Sequence, residues 1–199
     1  MRQYTLSEIG LPIYSGQIMT RITKKEDAGD NDFSREIKVI IPKCINADGT
    51  IDTNEIVTET IFMEPDPRRI TEVGDIVIKL STPYDAAIIT EESSGCLVPS
   101  FCALIKDNHY LERYYLLGFL NSEECKRQIR KQVAGATVPL VSIGKIANII
   151  IPVPEPDEIG KIGREYKETQ EKLSMLRKMT TLLTQRNDAV FRELVSSNE

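Results

Sequence analysis

Tryptophan is absent from the sequence, and histidine occurs once, as His109 in the polar stretch KDNHY. A lone imidazole beside a polar turn is a poor basis for general acid–base catalysis and reads as a surface residue. The cysteines Cys44, Cys96, Cys102 and Cys125 form no CxxC pair, and with a single histidine they offer no zinc-ligand spacing. Glycine-rich phosphate loops of the GxGxxG or Walker type do not occur. Nor does a nucleophile-elbow serine, a Cys-Gly-x-Cys segment or an Asx-Pro-Pro-Tyr stretch of the kind amino-methyltransferases carry. The paired carboxylates Glu91-Glu92 and Glu123-Glu124 are adjacent in sequence, which a solvated face explains. Catalysis by this chain alone is not expected, and neither is a bound metal or cofactor.

No apolar run approaches the length of a membrane span and no signal peptide opens the chain, so a reducing cytoplasm is the expected compartment. The thiols there serve as small core residues. Positive charge is also scarce: the net charge is −5, which argues against binding nucleic acid through bulk attraction alone. Its distribution is uneven. Residues 46–75 carry eight acids against Arg68 and Arg69, while residues 121–150 carry five bases against two acids. A locally basic surface suits a phosphate backbone.

What is present is a globular composition, 41% hydrophobic and 28% charged over 199 residues, enough to bury a core. TLSEIG (5–10) gives a short helical cue, followed by a turn punctuated by proline and glycine. Residues 24–33 lack periodicity and read as a surface loop. REIKVIIPKCI alternates and predicts a strand around 36–41, ended by Pro42. NADGTID is a turn by its Asp-Gly pair, and NEIVTETIFME is read as a strand. GDIVIKLS predicts a buried strand launched from Gly74-Asp75, with two more strands in DAAIIT and CLVPSFCALIK joined through EESSG. Residues 110–133 have helical apolar spacing, split at Asn121-Ser122 where the serine caps a second helix. Ser142 caps a short helix, and NIIIPV is a last strand. These elements predict an α+β fold: a β-rich mixed domain over residues 1–155 and one long helix over 156–197.

The helix carries its own pattern. Taken as heptads, residues 159–194 place Ile159, Tyr166, Leu173, Thr180, Asn187 and Leu194 at one seam position. Ile162, Thr169, Leu176, Leu183 and Val190 occupy the other. The spacing holds without a slip or a proline, and it predicts a coiled-coil rod of about 54 Å. The polar seam residues set register at some cost in stability. The plain alternative is a helix packed along its own domain, but a helix that long exceeds what a compact domain covers, so a rod that leaves the domain and pairs with another helix is expected. Pro154 and Pro156 stop the preceding strand, with Asp157 placed to cap the arm.

The order of these features resembles the specificity (S) subunit of type I DNA restriction–modification enzymes, in a half-length form with one target-recognition domain. LSEIGLPIYSG (6–16) looks like the family's opening. Residues 68–106, from RRITEVGDIVIKLS to FCALIK, are similar to its central strand block. Residues 114–154, with Leu-Asn-Ser and the closing Ile-Pro-x-Pro strand, look like its final block, and the helix after Pro156 like its arm. The chain departs from the family in having Ile159 after Glu158, where Gln often follows Glu, and in lacking a tryptophan near the first strands. The resemblance implies a non-catalytic DNA reader that pairs through antiparallel helices into a homodimer. Pairing would run through Ile159, Ile162, Tyr166, Leu173, Leu176, Leu183, Asn187, Val190 and Leu194. Its implied partners are double-stranded DNA, methyltransferase (modification) subunits and a restriction subunit. S-adenosylmethionine, ATP and magnesium would sit on those partners and none on this chain.

Base reading needs donors and acceptors on loops, and phosphate contacts need Lys, Arg or exposed backbone. Three segments supply them. The first has Ser15, Gly16, Gln17, Thr20, Arg21, Lys24 and Lys25. The second has Lys79, Ser81, Thr82 and Tyr84. The third has Arg130, Lys131, Gln132, Gly135 and Thr137. The competing expectation is a stand-alone interaction or regulatory homologue of the recognition domain that serves no active methyltransferase.

Overall fold

The computed structural model describes residues 2–25, 33–135 and 140–196, with side chains as far as residue 193. Its centre is an antiparallel sheet of four strands in the order β2 (Ile13–Ser15), β7 (Cys102–Ile105), β5 (Ile76–Lys79) and β6 (Ala86–Ile88). Strand side chains alternate between faces, and both faces here are covered. Ile76, Ile78, Ala86, Ala103 and Ile105 pack with the helices α1 (Arg113–Asn121), α2 (Glu123–Val133) and α3 (Ile143–Ala147). Val77, Ala87, Cys102 and Leu104 pack on the other side against Ile40, Cys44 and Ile45. Two-sided burial explains why IVIK and CALI read as continuous apolar runs rather than alternating ones.

Two ribbons complete the domain. β3 (Arg35–Val39) pairs with β4 (Val57–Ile61) over a third small core of Ile22, Ile37, Val39, Ile61 and Leu97. β1 (Arg2–Thr5) pairs with β8 (Ile150–Val153), tying residues 2–5 to the segment just before the long helix α4 (Pro156–Ser196).

The α+β class and the long terminal helix are as the sequence predicts. Ser122 caps α2 by accepting from the Cys125 amide at 3.2 Å, and Ser142 caps α3. Three expectations need correction. TLSEIG forms one turn, not a helix: Thr5 and Glu8 bond each other's amides as a capping box, and Gly10 leaves the turn at a φ of 70°. CLVPSFCALIK is a strand only from Cys102. Pro99, which has no N–H to donate, and a turn at Ser100–Phe101 reduce the earlier part to single bridges at Leu97 and Pro99. Asp157 does not cap α4. The amides of Glu158 and Ile159 both donate to the Glu155 carbonyl, so Glu155 holds the cap position and Pro156 the first helical position, where proline is favoured.

Candidate nucleic-acid interface and helical arm

Register places the first two predicted segments together. Ser15 lies opposite Ala103, Lys79 opposite Cys102, and Ile78 opposite Ala86. The chain after β2 and the chain after β5 therefore leave the same end of the central sheet. The described chain on either side of the third segment returns to that end. The Val141 amide donates to the Leu80 carbonyl at 2.8 Å, and Lys145 Nζ reaches the Gln132 carbonyl at 2.6 Å. Residues far apart in sequence thus share one edge.

Their side chains divide. Ser15, Thr20, Arg21, Lys24, Lys25, Thr82, Arg130, Lys131 and Gly135 are exposed, and Ser81 and Gln132 half-buried. Arg130 is paired with Glu123 at 2.9 Å, an exposed contact that costs little to exchange. Arg21, Lys24, Lys25 and Lys131 have no ion-pair partner among the described residues. Thr137 lies outside the described residues.

Four of the sequence candidates are turned inward. Tyr84 is 2% exposed with a φ of 60°; its ring fills the main core, and its amide closes the Ser81–Tyr84 turn that presents Thr82. Lys79 is bound to the buried carboxylate of Asp85 at 3.3 Å, and Lys126 takes the other oxygen of that carboxylate at 2.7 Å. Gly16 is held against the Pro99 carbonyl, where any Cβ would collide. Gln17 is buried, its Oε1 accepting from Arg69 Nη1 at 2.6 Å. These four act on the edge from behind it, through packing and orientation.

Sequence reasoning passed over Arg68 and Arg69, which the fold brings to the same edge. Asp66, Pro67 and both arginines form a tight 3-10 turn capped by the Asp66 side chain. Asp66 and both arginines, together with Tyr14, Ser15 and Ile143, line a shallow groove. The Arg68 guanidinium lies 5.4 Å from the centre of the Tyr14 ring. Its Nε and Nη2 both bond the Asp66 carboxylate. Those hydrogen bonds hold the Asp66 carboxyl down at about 2. The available signal was an arginine pair inside an otherwise acidic stretch.

That acidic stretch is largely internally matched. Asp48 and Asp52 meet Arg177, Glu55 meets Lys43, Glu64 meets Arg35, and Glu72 and Asp75 both meet Lys106. It presents no uninterrupted anionic face to repel a phosphate backbone.

The arm begins as part of the domain. Ile159 is buried in the main core, Gly163 sits where any side chain would strike Glu112, and Tyr166 packs over Gly118 on α1. Asn121 binds both backbone groups of Ala86 and donates to the Tyr166 hydroxyl at 3.2 Å, so one side chain joins the sheet edge, α1 and α4. Further along, Arg177 Nε bonds Asp48 at 2.9 Å and its Nη2 bonds Thr50 at 3.0 Å. Residues 159, 163, 166, 170, 174 and 177 make one helix face, and that face is spent on the chain's own domain. Ile159 and Tyr166, expected at a pairing seam, are corrected to docking residues. The helix is anchored to the domain as far as Arg177, and only the stretch after it, about 28 Å of helix, has no such anchor among the described residues.

Away from that face α4 carries several bare apolar side chains, and Leu173 flanks it, in a groove with Asn46, Ala47, Asp48 and Arg177. Leu173, Leu176, Leu183 and Val190 of the predicted seam are all exposed, as are Met175, Met179, Leu182 and Phe191 beside it. Leu176 is 59% exposed and Phe191 68%. Ile162 stands at the margin of this face at 38%, and Leu194 lies beyond the described side chains. Contiguous apolar exposure on this scale marks an interaction surface.

Among the described residues, no cluster of histidine, cysteine, aspartate and glutamate has the makings of a metal site, and no helix is long and apolar enough to cross a membrane. His109 is 89% exposed on its side chain, beside Asp107 at 3.2 Å. Burial pushes the thiols of Cys102 and Cys125 up to about 12 and raises those of Cys44 and Cys96.

Models of known protein families and curated protein sequences give no match to the chain. Solved structures do. A chain from a structure of type I R-M system assembly and conformational transition superposes with a TM-score of 0.63 at 17% identity, covering 89% of this chain and 44% of that one. The HsdS subunit from Thermoanaerobacter tengcongensis superposes with a TM-score of 0.61, again at 17% identity and with the same 89% and 44% coverage. At that identity the likeness is one of fold. The chain shares the HsdS fold and spans less than half the length of the solved chains it matches.

Proposed function

We propose that this chain, with the fold of a type I specificity subunit, is a DNA sequence-recognition element of a type I restriction–modification complex. The observation that carries the reading is a recognition-type domain continuing, without a break, into a helix whose outer side is apolar and uncovered. The domain reads a few base pairs at the end of the sheet that carries Ser15 and Thr82, to which Val141 is tied. A single module of this size specifies too short a sequence for a rare site, so two modules at fixed spacing are needed. The arm supplies that spacing. Its docking through Tyr166, Asn121 and Arg177 fixes the angle between reader and rod. Its exposed seam residues, Leu176, Leu183 and Val190 with Asn187 among them and Leu173 at the margin of the docked face, pair antiparallel with a second such helix, the arrangement that suits a two-fold homodimer. The coverage of 44% of the matched chains is what one of two such units would occupy.

In this role the chain is non-catalytic and works in the cytoplasm. Modification subunits dock on it and bring S-adenosylmethionine, and a restriction subunit brings ATP and magnesium. None of these binds the chain itself. Co-expression with a type I modification subunit should give a stable complex. The isolated chain should show the mass of a dimer by light scattering, and Leu176→Asp with Leu183→Asp should show that of a folded monomer. A dimer that survives both substitutions would remove the pairing account. A chain that dimerises but never retains a modification subunit would favour a stand-alone interaction protein.

A further inference from the structure

Arg68 and Arg69 are adjacent in sequence, yet the fold prepares their guanidinium groups for different tasks. Each guanidinium has five N–H donors and can offer its Nε–Nη2 edge as a planar two-pronged fork. In Arg68 that edge is occupied: Nε and Nη2 both bond Asp66, at 3.0 and 2.7 Å, and one face of the group lies over Tyr14. Only Nη1, with its two N–H groups, is left to point outward. In Arg69 the arrangement is reversed. Nη1 is tied at 2.6 Å to Gln17 Oε1, while Nε and Nη2 have no partner among the described residues and are not buried. The fork edge of Arg69 is therefore the free one, held in place by a buried glutamine from the chain just after β2. The groove beside it is walled by Ile13, Tyr14 and Ile143 and opens at the exposed Ser15.

A free fork edge matches the O6 and N7 acceptors of guanine in the major groove, the commonest specific contact to a base. A lone donor nitrogen of a cationic group matches a phosphate oxygen, which positions without specifying. Resting on the reading of the chain as a DNA recognition element, we propose that Arg69 is a specificity-determining residue that reads a guanine through Nε and Nη2. Gln17 is its positioning residue, and Arg68 is the neighbouring phosphate contact.

The test is selection of bound duplexes from a randomised library by the assembled complex of this chain with its modification subunits. Arg69→Ala should lose discrimination at one base pair by roughly 5- to 150-fold while leaving the other positions of the selected sequence intact. Gln17→Ala should weaken discrimination at that same position, and Gln17→Glu, which keeps an acceptor for Nη1, should retain it. Arg68→Ala should lower binding to all sequences alike and flatten its salt dependence by about one unit of slope. A wild-type complex that selects no sequence would defeat the recognition reading itself. A wild-type complex that selects a sequence which Arg69→Ala leaves unchanged, or weakens uniformly, would overturn this assignment alone. Circular dichroism of each variant identifies any loss that comes from unfolding, and Arg69→Lys, which keeps the charge without the fork, should fail at the same base pair as Arg69→Ala.

Discussion

Asp85 offers a quantitative test of how the recognition edge is held. Its buried carboxylate receives Lys79 on one oxygen and Lys126 on the other, and both lysine side chains are 14% exposed. Asp85→Ala would leave two ammonium groups facing each other with no counter-charge. Breaking a fully buried pair costs about 3–5 kcal/mol, because the surviving charge stays desolvated; an exposed pair is worth about 1 kcal/mol or less. At 14% exposure the lysine tips can bend part of the way to water, so a loss of about 2–4 kcal/mol is expected. For a domain of this size that corresponds to a fall in Tm of roughly 5–15 °C. Urea unfolding followed by circular dichroism measures it directly. Adding Lys126→Met removes one stranded charge and should restore about half of the loss. A loss under about 1 kcal/mol, or no recovery on adding Lys126→Met, would refute the picture of a desolvated charge cluster bracing the turn that presents Thr82.

Two further outcomes follow from the edge and the core. Replacing Lys24 and Lys25 by alanine, or Arg130 and Lys131, should weaken DNA binding by the assembled complex and reduce its salt slope by about one unit for each phosphate no longer neutralised; an unchanged slope would mean that these side chains face elsewhere. With Cys102 and Cys125 pushed up to about 12 and Cys44 and Cys96 raised by burial, the thiols stay protonated at pH 8. A thiol reagent should therefore label the native protein hardly at all at that pH and label all four cysteines once it is unfolded. Labelling of native protein at more than a trace would contradict their burial.

Much of the fold was legible because its signals are local. Ser122 and Ser142 mark helix starts by a side-chain oxygen that the next amides require, and IVIK and CALI announce strands covered on both faces. The proline run at 152–156 correctly separated the last strand from the long helix. The heptad pattern was equally plain in α4, but periodicity names a face without naming what covers it. Ile159 and Tyr166 are apolar at seam spacing, and it took Gly118, Asn121 and Gly163 to show that they belong to the domain. Lys79 and Tyr84 looked like interface residues because polarity in a loop cannot be told from polarity turned inward toward Asp85 or ring area buried in the core. Arg68 and Arg69 were missed for the opposite reason. Their value comes from Tyr14 and Gln17, more than fifty residues earlier in the sequence, and no pattern at short range carries that pairing.

The central claim is that this chain selects a DNA sequence for a modification enzyme. The most direct measurement is to co-express it with a type I modification subunit in cells lacking other DNA methylation and to map methylated bases across the genome. The account predicts one recurrent, split and two-fold-symmetric motif that disappears when Leu176→Asp and Leu183→Asp are introduced. Methylation that is absent or scattered without a motif, from a complex shown to be assembled, would contradict it.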